Sequence, residues 1–195
     1  MSEVRILGVA GSLRAGSFNR KLLNSAQQMV PSGAKLEIYD LHGIPVFSED
    51  DEKNPPAKVT DFKARIRASD AIVFATPEYN YSIPGGLKNA IDWASRPWGQ
   101  NSFDHIPAAV IGASIGQIGT ALSQQSLRAV LSFCNARQMT APEAYIQYTP
   151  QLFPGNGDVT DESTVAFLTN FMAEFHDHIV RVLTVLPRHA QAAHA

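Results

Sequence analysis

The sequence predicts an open, doubly wound α/β domain: a five-stranded parallel sheet with helices on both faces. Three observations carry this. Ala71-Ile72-Val73-Phe74-Ala75-Thr76 and Ala108-Ala109-Val110-Ile111-Gly112-Ala113 are apolar runs without alternation, as in strands covered on both faces. Segments of helical periodicity alternate with the strand-like runs along the chain. At 195 residues, 45% hydrophobic and 17% charged, the chain has the size and composition of one globular domain with a substantial core.

In order, the apolar run Ile6-Leu7-Gly8-Val9-Ala10 is the first strand, ended by Gly11-Ser12. After Asn19, Leu22, Leu23, Ala26 and Met29 recur at helical steps. Pro31-Ser32-Gly33 turns the chain into an alternating strand over 35–40. Residues 41–56 are a connector whose acids, from Glu49 to Glu52, are expected to be solvated. A helix over 57–68 places Val59, Phe62 and Ile66 on one side, and the run 71–76 follows it. Pro77 stops that strand, and Pro84-Gly85-Gly86 open a helix over 87–95. A loop over 97–106 leads to the strand at 108–113, then to Ser114-Ile115-Gly116-Gln117-Ile118-Gly119 and a helix to about Cys134. Residues 138–145 form an edge strand interrupted by Pro142. A loop over 148–158 precedes a long helix, capped by Asp161 or Ser163 and running to Leu186. Residues 1–186 are read as a single domain and 187–195 as a flexible tail.

Composition excludes several functions. A net charge of −2 offers no basic field for nucleic acid or an anionic membrane. No apolar run is long enough to span a bilayer, and no basic-then-apolar segment opens the chain, so a cytoplasmic protein is expected. Cys134 is the only cysteine, which rules out a disulfide framework and a thiolate metal site. It is expected to be a buried small hydrophobe. His176 and His178, two apart on a helix, share no face for a metal, and no metal is expected. Asp92 and Arg96 stand at helical spacing for an ion pair.

Right-handed crossovers and a ligand loop after the first strand suit the flavodoxin-like strand order 2-1-3-4-5. In such sheets ligands sit beyond the carboxyl ends of the strands, where the order reverses. Three unusual loops fall at that edge: 11–19, 77–86 and 114–119. The first carries Ser12, Arg14, Ser17 and Asn19 before a helix N-terminus, a combination of donors and dipole suited to a phosphate. It is no triphosphate loop, because Ser17-Phe18 stand where Lys-Ser/Thr is required. Nor do Gly8, Gly11 and Gly16 match the dinucleotide fingerprint. A loop rich in hydroxyls and short of glycine suits a terminal monophosphate; the bland alternative is an ordinary Ser/Asn-capped turn. The second loop sets Tyr79 and Tyr81 between prolines, offering flat faces to a heterocycle. In the third, Gly112, Gly116 and Gly119 let backbone approach a flat ligand. Monophosphate at one end and flat heterocycle at the other describe FMN. A phosphosugar- or nucleotide-binding module would leave Tyr79 to Tyr81 without a task.

Gly11-Ser12-Leu13-Arg14-x-x-Ser17-x-Asn19, together with the run from Thr76 through Pro77-Glu78-Tyr79-Asn80-Tyr81-Ser82 to Trp93, resembles the NADPH-dependent FMN reductase family. Within it the likeness is to bacterial quinone and chromate reductases, and it covers residues 4–143. The resemblance implies two-electron reduction of quinones by NADPH or NADH through bound FMN, with chromate as an incidental acceptor. It implies that Ser12, Arg14, Ser17 and Asn19 hold the phosphate. Pro77, Glu78, Tyr79, Asn80, Tyr81 and Ser82 would line the isoalloxazine, with Ser114 and Gly116 closing the other edge. Backbone amides near Asn80 and Gly116 are expected at the ring edge, and no side chain is expected to act as general acid or base. A homodimer or homotetramer is implied, with the helix after Pro84 and the loop 97–105 at the contact. That loop, with Trp98 and Phe103, is also a candidate for the acceptor side. The third loop departs from the glycine-rich pattern of relatives at Gln117 and Ile118, and Gln125 replaces a tyrosine some relatives carry near a subunit contact. A flavodoxin-like electron carrier without NAD(P)H turnover is the alternative, though a carrier is expected to be more acidic.

Overall fold

Strands apolar on both faces need helices on both faces, and the chain supplies them. The computed structural model describes residues 3–155 and 158–187. β1 (Val4–Ala10) lies between β2 (Ala34–Tyr39) and β3 (Ala71–Ala75), and β4 (Pro107–Ser114) lies beyond β3, all parallel. Gly8 stands opposite both Ile38 and Val73, and Phe74 opposite both Val9 and Val110. The fifth position holds two short segments rather than one strand. β5 (Arg137–Gln138) pairs with the start of β4, and β6 (Ala144–Gln147) pairs with its end. Pro142, between them, has no N–H to give a ladder, so the edge strand splits around it. The order is therefore 2-1-3-4, with the fifth place shared.

Alternation along the strands sorts the core into two layers. Ile6, Val73, Ala109 and Ile111 pack with Leu22 and Leu23 of α1 (Phe18–Gln28) and with Phe171 and Phe175 of α5 (Glu162–Val185). Leu7, Val9, Ile72, Phe74 and Val110 pack with residues of α2 (Ala57–Ala68), α3 (Gly85–Ala94) and α4 (Ala121–Phe133) on the other face. Each large side chain fully buried here stabilises the fold by about 1.5–3 kcal/mol. Of the two candidate caps of α5, Asp161 accepts the Thr164 N–H at 2.8 Å. Bonds from the Ser163 hydroxyl and that amide hold its carboxyl below the ordinary range. The residues from 188 onward, most of the expected tail, lie outside the described residues.

The connector 41–56 is tied down more firmly than its composition suggests. Asn89 of α3 receives the Phe47 N–H at 2.7 Å and donates to the Pro45 carbonyl at 2.8 Å, which also accepts Trp93 Nε1–H at 2.9 Å. Of its acids, Glu49, Asp50 and Asp51 are exposed as expected, and Glu52 is largely covered. Glu49–Asp51 form a 3₁₀ turn, and Arg96 reaches Glu49 at 3.2 Å and Glu52 at 3.8 Å. The expected Asp92–Arg96 pair is thereby replaced. α3 ends at Ala94, so helical spacing does not extend to Arg96, and Asp92 instead takes Lys88 at 2.7 Å. Cys134 is buried as expected, and burial pushes its thiol up to about 11, leaving it neutral. His178 Nε2 sits 2.8 Å from the Arg137 carbonyl, a structural contact.

Candidate functional site

β1, β3 and β4 end side by side, which brings the three loops that follow them to one edge of the sheet. The first loop leaves β1 through Gly11, whose N–H donates to the Ala75 carbonyl at 2.9 Å. A Cβ at Gly11 would stand 3.0 Å from Leu87 Cδ2 and 3.2 Å from Pro77 Cδ, so glycine lets this loop press against the second. Ser12 Oγ lies 3.4 Å from Tyr79 Oη, linking the two loops again. Ser17 caps α1 by accepting the Arg20 N–H at 3.1 Å. By helix geometry the first-turn amides of Phe18 and Asn19 then point back at the loop. The Arg14 guanidinium lies 4.5 Å over the Phe18 ring and donates to the Gly16 carbonyl at 2.8 Å. Phe18 in turn stacks on Tyr148, and Tyr148 on Phe153. This aromatic column fixes the cation, and sequence reasoning missed it. Phe18 and Tyr148 lie 130 residues apart, and no local pattern joins them.

The Asn19 side chain is not where the motif suggested. It is only 2% exposed and turned inward, donating to the Ala113 carbonyl at 3.0 Å and accepting the Ala113 N–H at 2.9 Å. Its carboxamide welds α1 to the end of β4, and only its backbone amide remains at the loop.

The second loop is a tight hairpin. Tyr79 and Ser82 exchange both N–H···O bonds at 3.0 Å, and Asn80 and Tyr81 between them have φ of 53° and 62°. Two central residues at positive φ make this a type I′ turn, a shape that asparagine tolerates and tyrosine resists. The strain, of order 1–2 kcal/mol at Tyr81, holds a ring that is 74% exposed on the hairpin tip. Pro77 and Glu78 anchor the loop's entry on α4. Pro77's carbonyl takes Ser123 Oγ at 2.9 Å and Thr76 Oγ1 at 2.8 Å, and Glu78 Oε2 accepts the Ser123 N–H at 3.1 Å.

The third loop is braced by Ser114. Its hydroxyl donates to the Gly119 carbonyl at 2.7 Å and accepts the Gly116 N–H at 3.0 Å, while its carbonyl takes the Tyr148 N–H at 2.7 Å. The Gly116 amide expected at a ring edge is therefore used inside the loop. What the loop presents outward is Ile115, 73% exposed, and Ile118, 57% exposed. Gly112 does not clear space for a ligand either. A Cβ there would fall 1.9 Å from Thr120 Oγ1 and 2.6 Å from the Thr76 carbonyl, so its role is close packing of β4 under the start of α4.

The loop 97–105 does not join this cluster. It connects the end of α3 to the start of β4, which places it at the amino end of the sheet, opposite the three loops. Phe103 is buried against Phe74, and Trp98 is exposed beside a cleft of about 440 Å³ lined also by Arg96, Asn101, Asp104 and Phe133. Within one chain, therefore, Trp98 and Phe103 do not reach the three loops: a βαβ crossover returns the chain to the far edge before the next strand begins.

Taken together, one end of the edge offers the Ser12 hydroxyl, a fixed guanidinium and the amides of the helix that Ser17 caps, a donor set matched to a phosphate. The other offers two exposed tyrosine rings and a backbone hairpin, matched to a flat polar heterocycle. The Ser12–Tyr79 contact shows the two ends to be adjacent.

The family model described as NADPH-dependent FMN reductase matches residues 4–151. A 2-hydroxy-1,4-benzoquinone reductase of a Burkholderia species is 40% identical over 172 residues, covering 88% of this chain and 94% of that protein. An NAD(P)H-dependent FMN reductase of Pseudomonas aeruginosa is 46% identical over 162 residues, covering 82% and 86%. Among solved structures, the flavoenzyme NAD(P)H:(acceptor) oxidoreductase FerB of Paracoccus denitrificans superposes with a TM-score of 0.87 at 42% identity, covering 91% of this chain and 98% of that one.

Proposed function

Since this chain belongs to the NADPH-dependent FMN reductase family, we propose that it oxidises NAD(P)H and passes two electrons to quinones at an FMN site formed by its three loops. The observation that carries this reading is the Ser12–Tyr79 contact, which sets the donor-rich first loop beside the aromatic hairpin of the second. Bound FMN would supply the hydride chemistry, and the chain supplies position and electrostatics. Ser12, Arg14 and Ser17 hold the phosphate with the amides of Phe18 and Asn19. Arg14 arrives pre-oriented on Phe18, so little side-chain entropy is lost on binding. Pro77, Glu78, Tyr79, Asn80, Tyr81 and Ser82 frame the ring, chiefly through a backbone whose direction the hairpin fixes. Ser114 and Gly116 act from beneath by bracing the third loop.

Tyr81 on the second loop and Ile115 and Ile118 on the third are exposed apolar side chains on loops at the same sheet edge, a surface suited to a flat, uncharged acceptor, as a quinone is. Chromate would be an incidental acceptor at the same face. Membership of an NADPH-dependent family leaves the pure electron-carrier reading without support. A second subunit is proposed to cover the exposed rim in a homodimer or homotetramer. No described helix is long and apolar enough to cross a membrane, in keeping with a proposed cytoplasmic site of action.

The test is NADPH oxidation followed by absorbance with 1,4-benzoquinone as acceptor, using protein at graded FMN occupancy. A quinone-dependent rate proportional to bound FMN is expected. A rate no greater than with free FMN alone would refute the proposal.

A further inference from the structure

We propose that Glu78 and Ser123 form a latch that aims the Glu78 backbone amide at the flavin ring, making both of them positioning residues. The inference rests on the FMN reading above and adds to it the element that orients the second loop. α4 begins without a cap of its own: Thr120 makes no side-chain bond to its first turn, and its hydroxyl instead accepts from Gln124 Nε2 at 3.1 Å. The carboxylate that serves this helix end comes from 45 residues earlier, Glu78 Oε2 on the Ser123 N–H. A negative group at a helix N-terminus is favoured by both the free amides and the dipole.

The second half of the latch is a buried trio. Pro77's carbonyl, Thr76 Oγ1 and Ser123 Oγ lie within 2.8–3.0 Å of one another. Two hydroxyl protons serve three contacts, so the Pro77 carbonyl receives at least one of them in every arrangement. That carbonyl is therefore held toward α4. The Pro77–Glu78 peptide is trans, since Arg96–Pro97 and Ala141–Pro142 are the only cis bonds among the described residues. In a planar trans peptide the N–H points opposite to the C=O. The Glu78 N–H is thus turned away from α4, to the side from which a ring seated beside Tyr79 would meet it. Glu78 acts through its backbone, and its side chain faces the protein.

The proposal separates from a side-chain ligand role by experiment. The dissociation constants of FMN and of riboflavin, which lacks the phosphate, are measured by flavin fluorescence for wild type, Glu78→Ala and Glu78→Gln, alongside the melting temperature of each flavin-free protein. Glu78→Ala should weaken both flavins by the same factor of about ten, because the latch acts on the ring. Glu78→Gln, which keeps an acceptor for the Ser123 N–H, should bind both within about threefold of wild type. Ser123→Ala, which keeps Thr76 on the Pro77 carbonyl, should weaken both by about threefold and tests the latch even if Glu78→Ala does not fold. Unchanged affinity in Glu78→Ala with only a lower melting temperature would overturn the inference, as would loss of FMN but not riboflavin. A Glu78→Gln variant as defective as Glu78→Ala would show that the carboxylate itself meets the ligand. Wild-type protein that bound neither flavin would defeat the FMN reading itself.

Discussion

Asn19→Ala should destabilise the flavin-free protein by about 3 kcal/mol, read as a lower urea midpoint. The substitution removes the partners of both Ala113 backbone groups, an N–H held at 2.9 Å and a carbonyl held at 3.0 Å, where Asn19 and Ala113 are buried. Each buried backbone group left unpaired costs about 1–3 kcal/mol. FMN affinity should fall as well, through displacement of the Ser17 cap and the first-turn amides. A variant of normal stability that lost only FMN would restore the reading of Asn19 as a phosphate ligand.

Gly112→Ala should have an effect of similar size, about 3 kcal/mol, by overpacking. The added Cβ would fall 1.9 Å from Thr120 Oγ1 and 2.6 Å from the Thr76 carbonyl. The hydroxyl can be removed, but the carbonyl belongs to the backbone beside β3 and can give only if the strands part. Thr120→Ala in the Gly112→Ala background should therefore recover less than half of the loss. Urea unfolding of the two single variants and the double variant checks this. If Gly112 instead served to let a ligand approach, Gly112→Ala would unfold at the wild-type midpoint.

These two residues show where the sequence is legible and where it stops being so. The layering can be read because strand and helix periods are local: Ile72 to Ala75 is apolar without alternation, and Leu22, Leu23 and Ala26 repeat at helical steps. The placing of three loops at one edge follows from the parallel order alone. What a residue does within a loop is not local. Asn19 sits in a phosphate-loop pattern, yet its side chain is claimed by Ala113, 94 positions away. Gly112 looks like space for a ligand and is filled by Thr120. Ser114 and Gly116 satisfy each other. Arg96 ignores Asp92 because the helix ends before it, and the acids that receive it lie in a connector whose composition suggests only solvent. Even the split of the fifth strand, signalled by Pro142, needed the register of β4 to show that both halves pair with it. Motifs identify the ligand through backbone and donor type; side-chain assignments within them need the third dimension.

The most direct test of the account is an anaerobic visible spectrum of the purified protein incubated with FMN and freed of excess. Flavin absorbance retained by the protein, bleached by NADPH and restored by 1,4-benzoquinone, is the predicted result. Protein that retains no FMN, or retained FMN that NADPH leaves oxidised, would contradict it.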